Sequence, residues 1–252
     1  MVDSVKRSAA PRLKFLLASD APVGVVLRRG PTKLVRLVMW DRRDDTLQPG
    51  QWFKGKIYAD YSDISPDGRH MIYLAMAGLA WAVPETGGSW TAISILPSLT
   101  AVALWGQGGD TRGGGMFISN DCFWLYDSAN TYLIRDNSGL HRETYPPDRW
   151  RTLSCERRME RDGWVAQGGW AALRPILEKT IHEGWVLRRL GWDGEYELEH
   201  PREGKLSLPS WECAEWDRHR LVWADKGCLR AARVGRHGLD SVRTLYDFND
   251  VT

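Results

Sequence analysis

The sequence predicts an all-β fold made of five repeated antiparallel units. A short apolar run, a polar turn that usually contains glycine and a second apolar run recur five times, as expected for β-hairpins with one buried face. The first runs begin at Val25, Met71, Met116, Trp164 and Leu221, at successive offsets of 46, 45, 48 and 57 residues. Helical repeats of this length would require a 3.6-residue apolar period, and the runs lack that period.

Repeats in the forties with several short strands each are typical of β-propeller blades, which are four-stranded sheets packed face to face around an axis. We therefore predict a single five-bladed β-propeller over residues 11–252, preceded by a flexible segment at residues 1–10. The longer last offset predicts an insertion, Ala171–Glu183, within blade four.

The two chain ends are predicted to share the first blade. Three of its strands are assigned to Leu13–Ser19, Val23–Arg28 and Lys33–Trp40, and the C-terminal stretch Asp240–Asp250 is expected to supply its inner strand. A strand exchanged in this way would close the ring and leave no free sheet edge.

The other blades follow from the same spacing of apolar runs and turns. Blade two is assigned to Gln51–Ile57, Tyr61–Ser65, Met71–Met76 and Leu79–Val83, and blade three to Trp90–Leu96, Ala101–Gly106, Gly114–Ser119 and Cys122–Tyr126. Blade four takes strands within Thr131–Tyr145 and Thr152–Arg158, then Gly163–Gln167 and Gly184–Trp192; blade five takes Glu195–Leu208, Trp211–Trp216, Leu221–Ala224 and Cys228–Val234. Tryptophans of the third and fourth strands should fill the wedges between blades: Trp40, Trp81, Trp124, Trp164, Trp192 and Trp223.

One turn carries a family resemblance. The stretch Asp63–Arg69 (DISPDGR), followed by the strand Met71–Met76, resembles the SPDG turn of the WD40-like propeller repeats found in TolB-type periplasmic proteins and prolyl oligopeptidase-type propellers. The equivalent stretch of blade five, Trp216–Arg220, keeps only the Asp and Arg positions. The resemblance implies the fold and carries no active residue with it.

Composition excludes several classes of function. The 252 residues include 34 basic and 32 acidic side chains, a net charge of +2, and the two signs are interleaved, which predicts neither a nucleic-acid nor a membrane partner. No segment reaches the roughly 20 apolar residues that span a bilayer, and no leader-like run follows Met1, so we expect a cytoplasmic protein. Cys122, Cys155, Cys213 and Cys228 lack close pairing, so we expect buried, reduced thiols, no metal and no cofactor.

Charged loops give the candidate binding surface. In a propeller, the loops between strands two and three and those leading to the next blade emerge on one face, and function concentrates on loops held by rigid strands. The residues predicted to contact a partner there are Arg42, Arg43, Asp110, Arg112, Arg158 and Asp193. A solvated charged rim without a partner is the alternative interpretation.

The sequence favours binding over catalysis. It contains neither the Gly-x-Ser-x-Gly nor the His-Glu-x-x-His pattern of serine hydrolases and zinc proteases. We expect a non-enzymatic interaction module that binds a protein partner through the loop face or the central opening. The alternative is a carbohydrate-binding or carbohydrate-active propeller with a small ligand or sugar in the opening. A hydrolase would need carboxylates about 5–10 Å apart, and the candidates are Glu143, Glu197, Glu199 and Asp247.

Overall fold

The described part of the chain folds into five β-sheets and two short helices. The computed structural model describes residues 9–30, 33–78, 82–144, 154–170, 172–192 and 194–250. The helices are Ala82–Thr86 (α1) and Ser154–Arg161 (α2), of five and eight residues. In the described part of the chain, neither helix has the length or the apolar character needed to cross a membrane.

The N-terminal part forms two antiparallel sheets. Sheet 1 has the order β1-β2-β3-β4, with Arg12–Leu17 (β1), Val23–Arg29 (β2), Leu34–Asp41 (β3) and Thr46–Lys54 (β4). Sheet 2 begins with Lys56–Ile64 (β5), His70–Met76 (β6), Ser89–Ile95 (β7) and Ala101–Gly106 (β8). The strands β2, β6 and β7 are buried along most of their length, because sheets cover both of their faces. This explains why their sequences are continuous apolar runs instead of alternating ones.

Sheet 3 is short, and the chain leaves it once before completing it. Gly115–Phe117 (β9) and Cys122–Leu125 (β10) form a hairpin. The chain then returns to the edge of sheet 2, where Tyr132–Asp136 (β11) pairs with β8. It comes back as His141–Glu143 (β12), which runs parallel to β10.

The C-terminal part forms two further antiparallel sheets with strands in chain order. Sheet 4 contains Val165–Gln167 (β13), Ile176–Thr180 (β14), Val186–Leu190 (β15), Tyr196–His200 (β16) and Gly204–Leu208 (β17). Sheet 5 contains Trp211–Asp217 (β18), Arg220–Asp225 (β19), Cys228–Gly235 (β20) and Gly238–Asp247 (β21).

Four apolar clusters join the sheets in pairs. Sheets 1 and 2 share Val25, Leu37, Met71, Tyr73 and Trp90; sheets 2 and 3 share Ile72, Trp105, Phe117 and Phe123; sheets 1 and 5 share Leu13, Phe15, Trp40, Val222 and Phe248; sheets 4 and 5 share Leu177, Leu198, Trp211 and Trp223. The sheets therefore pack in the order 3-2-1-5-4. The first and last sheets of the chain are direct neighbours.

Helix α2 lies between sheets 3 and 4, which stand at the two ends of this packing order. At its C-terminal end, Arg161 donates two hydrogen bonds to the carboxylate of Asp63 on β5, at 2.6 and 3.0 Å, and a third to the carbonyl oxygen of Phe117 on β9. Its Met159 packs in the cluster of sheets 4 and 5. Among the described residues, sheets 3 and 4 share no apolar cluster, and α2 bridges them instead.

The resemblance to an SPDG turn is reflected in a tight turn between β5 and β6. The hydroxyl of Ser65 donates to the carboxylate of Asp67 at 2.6 Å, and the backbone N–H of Arg69 donates to both side chains. Gly68 has a φ of 73°, and a Cβ there would lie 2.7 Å from the Val23 side chain. Glycine is therefore required both by the backbone conformation and by the approach of sheet 1.

The predicted closure by strand exchange is wrong. The C-terminal strand β21 pairs with β20 inside sheet 5, and β1 itself forms the edge of sheet 1. The predicted start of blade two falls one strand early, because β4 belongs to sheet 1, and that of blade three falls two strands early, because β7 and β8 belong to sheet 2. Hairpins within a sheet and connections between sheets both look like apolar runs separated by turns, so the pattern finds strands without fixing which sheet they join.

The predicted insertion is also wrong. Ala171 lies outside the described residues, but the rest of Ala171–Glu183 contributes β14, which pairs with both β13 and β15. The predicted strand at Thr152–Arg158 is instead occupied largely by α2, which buries Cys155 and Met159, four residues apart, on one face. The predicted flexible segment, residues 1–10, lies outside the described residues except for its last two positions.

A buried ionic network also joins the first and last sheets. Arg42, in the turn after β3, donates to Asp217 of β18 at 2.6 Å, and their side chains are 5% and 1% exposed. Arg42 also donates to the carbonyl oxygens of Ala18 and Ala21. Arg220 donates to Asp217 as well, at 3.0 Å, so this carboxylate is held by two guanidinium groups.

Replacement of Arg42 by methionine should destabilise the protein strongly, because Asp217 would keep its charge without the shorter of its two ion pairs. Breaking a buried pair costs about 3–5 kcal/mol. Urea denaturation followed by tryptophan fluorescence would measure the change. The matched control is Arg43→Met, which removes an exposed arginine paired with Asp41. This variant should unfold at the same urea concentration as the parent. Equal stability of the two variants would contradict a structural role for Arg42.

Two leucines in the segment predicted as an insertion should respond oppositely to truncation. Leu177 is fully buried on β14, whereas Leu173 is 96% exposed. Leu177→Ala should lower the free energy of unfolding by about 2–5 kcal/mol, and Leu173→Ala should leave it unchanged within about 0.5 kcal/mol. The same denaturation experiment tests both, and a neutral Leu177→Ala would show that β14 is dispensable.

Candidate functional site

An opening between the sheets is lined by the first strands of several of them. Side chains of β1, β5, β9 and β18, together with α2, surround a cavity of about 750 Å³ at one end of the molecule. A second cavity, of about 940 Å³, lies towards the other end. The two share Lys14, Ala59, Asp60 and Arg189 in their walls, so they meet in the middle of the molecule.

Among the described residues, the walls of the opening carry an excess of positive charge. The first cavity is lined by seven basic residues, Lys14, Arg42, Arg158, Arg161, Lys179, Arg189 and Arg218, against four acids, Asp20, Asp60, Asp162 and Glu215. The second has five basic residues, Arg12, Lys14, Arg29, Lys56 and Arg189, against Asp60 and Glu212. The whole chain has a net charge of only +2, so the excess is concentrated at the opening.

Some of these cations have structural partners. Arg42 is held by Asp217, and Arg161 by Asp63. Lys179 pairs with Glu215 at 2.5 Å, and the indole N–H of Trp164 donates to the same carboxylate. These cations line the cavity, and acidic partners already neutralise their charges.

Three other cations surround one carboxylate where the cavities meet. The Arg189 guanidinium lies 3.7 Å from Asp60, and Lys14 and Arg158 also act on that carboxylate. Burial opposes ionisation of Asp60, but the three cations hold its pKa below the ordinary value. Among the described residues, neither Lys14 nor Arg158 has an acid within ion-pair distance, and the buried Nε of Arg158 has no hydrogen-bond acceptor. The middle of the opening therefore holds more positive charge than the described residues neutralise.

A second carboxyl group in the first cavity titrates near neutrality. Burial raises the pKa of Asp162 to about 6. Arg161 and Arg158 oppose the shift, and the neighbouring carboxylates of Asp63 and Glu215 reinforce it. The charge of this cavity therefore changes between pH 5 and pH 7.

The predicted loop residues do not form one surface. Arg42 is buried in the network described above, and Arg43, 71% exposed, is paired with Asp41. Asp110 and Arg112 pair with each other at 3.0 Å in the loop between β8 and β9. Arg158 lies on α2 and lines the opening, and Asp193 lies outside the described residues.

The loop with Asp110 and Arg112 lies at the opposite end of the sheets from Arg42. Arg42 bonds to the β1–β2 turn, where the N–H of Asp20 donates to the carbonyl oxygen of Pro66 in the β5–β6 turn. The β8–β9 loop leaves the other end of sheet 2, since Gly106 at the end of β8 pairs with the start of β7. The prediction that Arg42, Asp110 and Arg112 share one charged face is therefore wrong.

Several of the singled-out tryptophans pack between sheets. Trp40, Trp164 and Trp223 are buried in clusters that join two sheets, as predicted, and Trp124 is buried as well. Trp192 is partly buried and lines the second cavity, and Trp81 lies outside the described residues. The four carboxylates considered for glycoside chemistry, Glu143, Glu197, Glu199 and Asp247, line neither cavity.

Sequence reasoning missed the residues at the middle of the opening. Lys14, Asp60 and Arg189 lie on β1, β5 and β15, far apart in the chain and each within an otherwise ordinary strand. For Lys14 and Arg189, a charged residue inside a predicted strand was the available signal, whereas Asp60 fell between two predicted strands. That signal could not be interpreted without knowing that these strands lie close together.

No family model and no curated protein matches this chain. Solved structures similar to it include the β-propeller domain of the trilobed protease from Pyrococcus furiosus, with 10% identity and a TM-score of 0.40 over 96% of this chain and 99% of that one. An acylaminoacyl peptidase from Pyrococcus horikoshii has 12% identity and a TM-score of 0.29, over 97% and 46% of the two chains. An uncharacterised protein from Listeria monocytogenes has 9% identity and a TM-score of 0.28, over 94% and 83%. These TM-scores all lie below 0.5, so the likenesses carry no functional conclusion.

Proposed function

We propose that this chain is a non-enzymatic interaction module, a five-bladed β-propeller whose central opening receives an acidic segment of a protein partner. The five sheets would be its blades. Their packing order, with sheets 1 and 5 in contact and α2 between sheets 3 and 4, is compatible with a ring. The central opening is favoured over the loop face, because Arg42, Arg43, Asp110 and Arg112 are already paired with acids of this chain.

The cluster around Asp60 is the observation that carries the proposal. Lys14, Arg158 and Arg189 place three positive charges around one carboxylate. Like charges held together in a partly desolvated site repel one another, and an acidic ligand relieves that repulsion. Hydrogen bonds to charged groups contribute about 1.5–3 kcal/mol each, so one or two carboxylates bound here would give measurable affinity.

The dimensions and walls of the opening suit an extended peptide. Both cavity volumes lie within the range of about 300–1,000 Å³ that is usual for ligand sites. Beside the cations, the first cavity presents the apolar side chains of Phe15, Leu16, Met159, Trp164 and Tyr196. A peptide with acidic and apolar residues would therefore find complementary groups for both.

Removal of a cation from the cluster should weaken binding of an acidic peptide. The probe is fluorescein-labelled hexaglutamate, with affinity measured by fluorescence anisotropy. Lys14→Met and Arg158→Met should each weaken binding about tenfold, equivalent to about 1.4 kcal/mol. Asp60→Asn should strengthen binding, because it removes the carboxylate that competes for the same cations. Added salt should weaken binding of all forms.

The matched control is Arg233→Met, which removes an exposed arginine of β20 that lines neither cavity. The proposal would be overturned if Arg233→Met weakened peptide binding as much as Lys14→Met and Arg158→Met do. It would also be overturned if the replacements of Lys14, Arg158 and Asp60 left the affinity unchanged. Unlabelled maltohexaose provides a second arm. Its displacement of the peptide would favour the carbohydrate-binding alternative instead.

Binding should also strengthen as the pH falls from 7.5 to 5.5. Asp162 has a raised pKa of about 6, so it is ionised at pH 7.5 and mostly protonated at pH 5.5. Its protonation makes the first cavity more positive, while the peptide carboxylates, with pKa values of about 4.3, stay ionised. No histidine among the described residues lines this cavity.

The comparison variant for this pH dependence is Asp162→Asn, measured by the same anisotropy titration. It should bind at pH 7.5 about as tightly as the parent binds at pH 5.5, with little dependence on pH between them. If the affinity of Asp162→Asn changed with pH as steeply as that of the parent, the pH dependence would belong to a different group.

A further inference from the structure

Strand β12 brings three metal-ligating side chains together at the edge of sheet 3. It runs parallel to β10 with Cys122 opposite His141 and Trp124 opposite Glu143. Alternate residues of a strand share a face, so His141 and Glu143 lie on the same side of β12. Paired residues of neighbouring strands also share a face, which places Cys122 on that side with them.

The ligand atoms have separations suited to one ion. The Cys122 Sγ and the His141 Nε2 each lie 3.8 Å from the Glu143 Oε2. All three atoms lie within 4.8 Å of one another. Tetrahedral Zn²⁺, with bonds of about 2.0–2.3 Å, sets its ligands roughly 3.3–3.7 Å apart. Small rotamer changes would therefore bring the three atoms into coordination.

We propose that Cys122, His141 and Glu143 form a Zn²⁺ site, with a water molecule as the fourth ligand. A thiolate, an imidazole and a carboxylate are all established zinc ligands. The thiolate disfavours Mg²⁺ and Ca²⁺, which prefer oxygen donors. Binding displaces the thiol proton of Cys122 to solvent, and no other covalent change occurs.

The position of β12 gives the ion a structural role. All three of its residues are exposed, and it pairs with β10 at only three positions. Its start is fixed by the backbone N–H of His141, which donates to the carbonyl oxygen of Asp121 at 2.7 Å. A bound ion would join Cys122 of β10 to two side chains of β12, and so hold this outer strand on the sheet.

Cobalt provides a direct spectroscopic test. The full-length, metal-free and reduced protein is titrated with Co²⁺, and one equivalent should produce a sulfur-to-cobalt charge-transfer band and visible d–d bands of tetrahedral intensity. One equivalent of Zn²⁺ should remove them. Cys122→Ser should lose the charge-transfer band, while Cys213→Ser, which changes another partly exposed cysteine, should keep it.

Competition with a chromophoric chelator measures the affinity of the same proteins for Zn²⁺. His141→Asn and Glu143→Gln should each weaken it at least tenfold, and Zn²⁺ should raise the melting temperature of the parent but not of these variants. Both replaced side chains are exposed, so the variants should fold. Absence of the charge-transfer band in the parent, its persistence in Cys122→Ser, or Zn²⁺ affinity unchanged in His141→Asn would overturn the site.

Discussion

The buried pair of Arg42 and Asp217 lies where the first and last sheets of the chain meet. Around it, Phe15 and Trp40 from sheet 1 pack against Val222 from sheet 5. This junction brings the two ends of the sequence together through side chains, without any exchanged strand. A buried charge pair stabilises a fold mainly by making its loss costly, because either partner alone would be left desolvated. The apolar contacts of this junction supply the favourable free energy.

Helix α2 performs a different task on the opposite side. It lies between sheets 3 and 4, where the described residues show no shared apolar cluster, and Arg161 attaches it to Asp63. A helix with basic residues on one face can bury Met159 towards one sheet and turn Arg158 towards the opening. Part of the positive charge of the opening thus comes from helix α2, and the rest comes from charged residues on the strands.

The two proposed sites differ in physical character. The cluster at Asp60 sets three cations, Lys14, Arg158 and Arg189, around a single carboxylate where the two cavities meet. In the second set, His141 and Glu143 are exposed and Cys122 is partly buried. Its geometry depends on β12 returning to β10 after β11 has joined sheet 2. Either site can therefore be lost without the other.

The sequence by itself determined that the fold is all-β with repeated antiparallel units, because burial on a strand leaves an apolar pattern that turns interrupt. It also predicted correctly that tryptophans such as Trp40 and Trp223 are packing residues, since their place in the strands is local information. Only the tertiary structure decided which sheet each strand joins, as β4, β14 and β21 illustrate. It also decided which charges meet: Arg42 was predicted in a loop and is buried, whereas Lys14, predicted in a strand, and Asp60, predicted between two strands, both face the opening. These outcomes depend on contacts between residues distant in the chain, and a pattern of neighbouring residues carries no record of them.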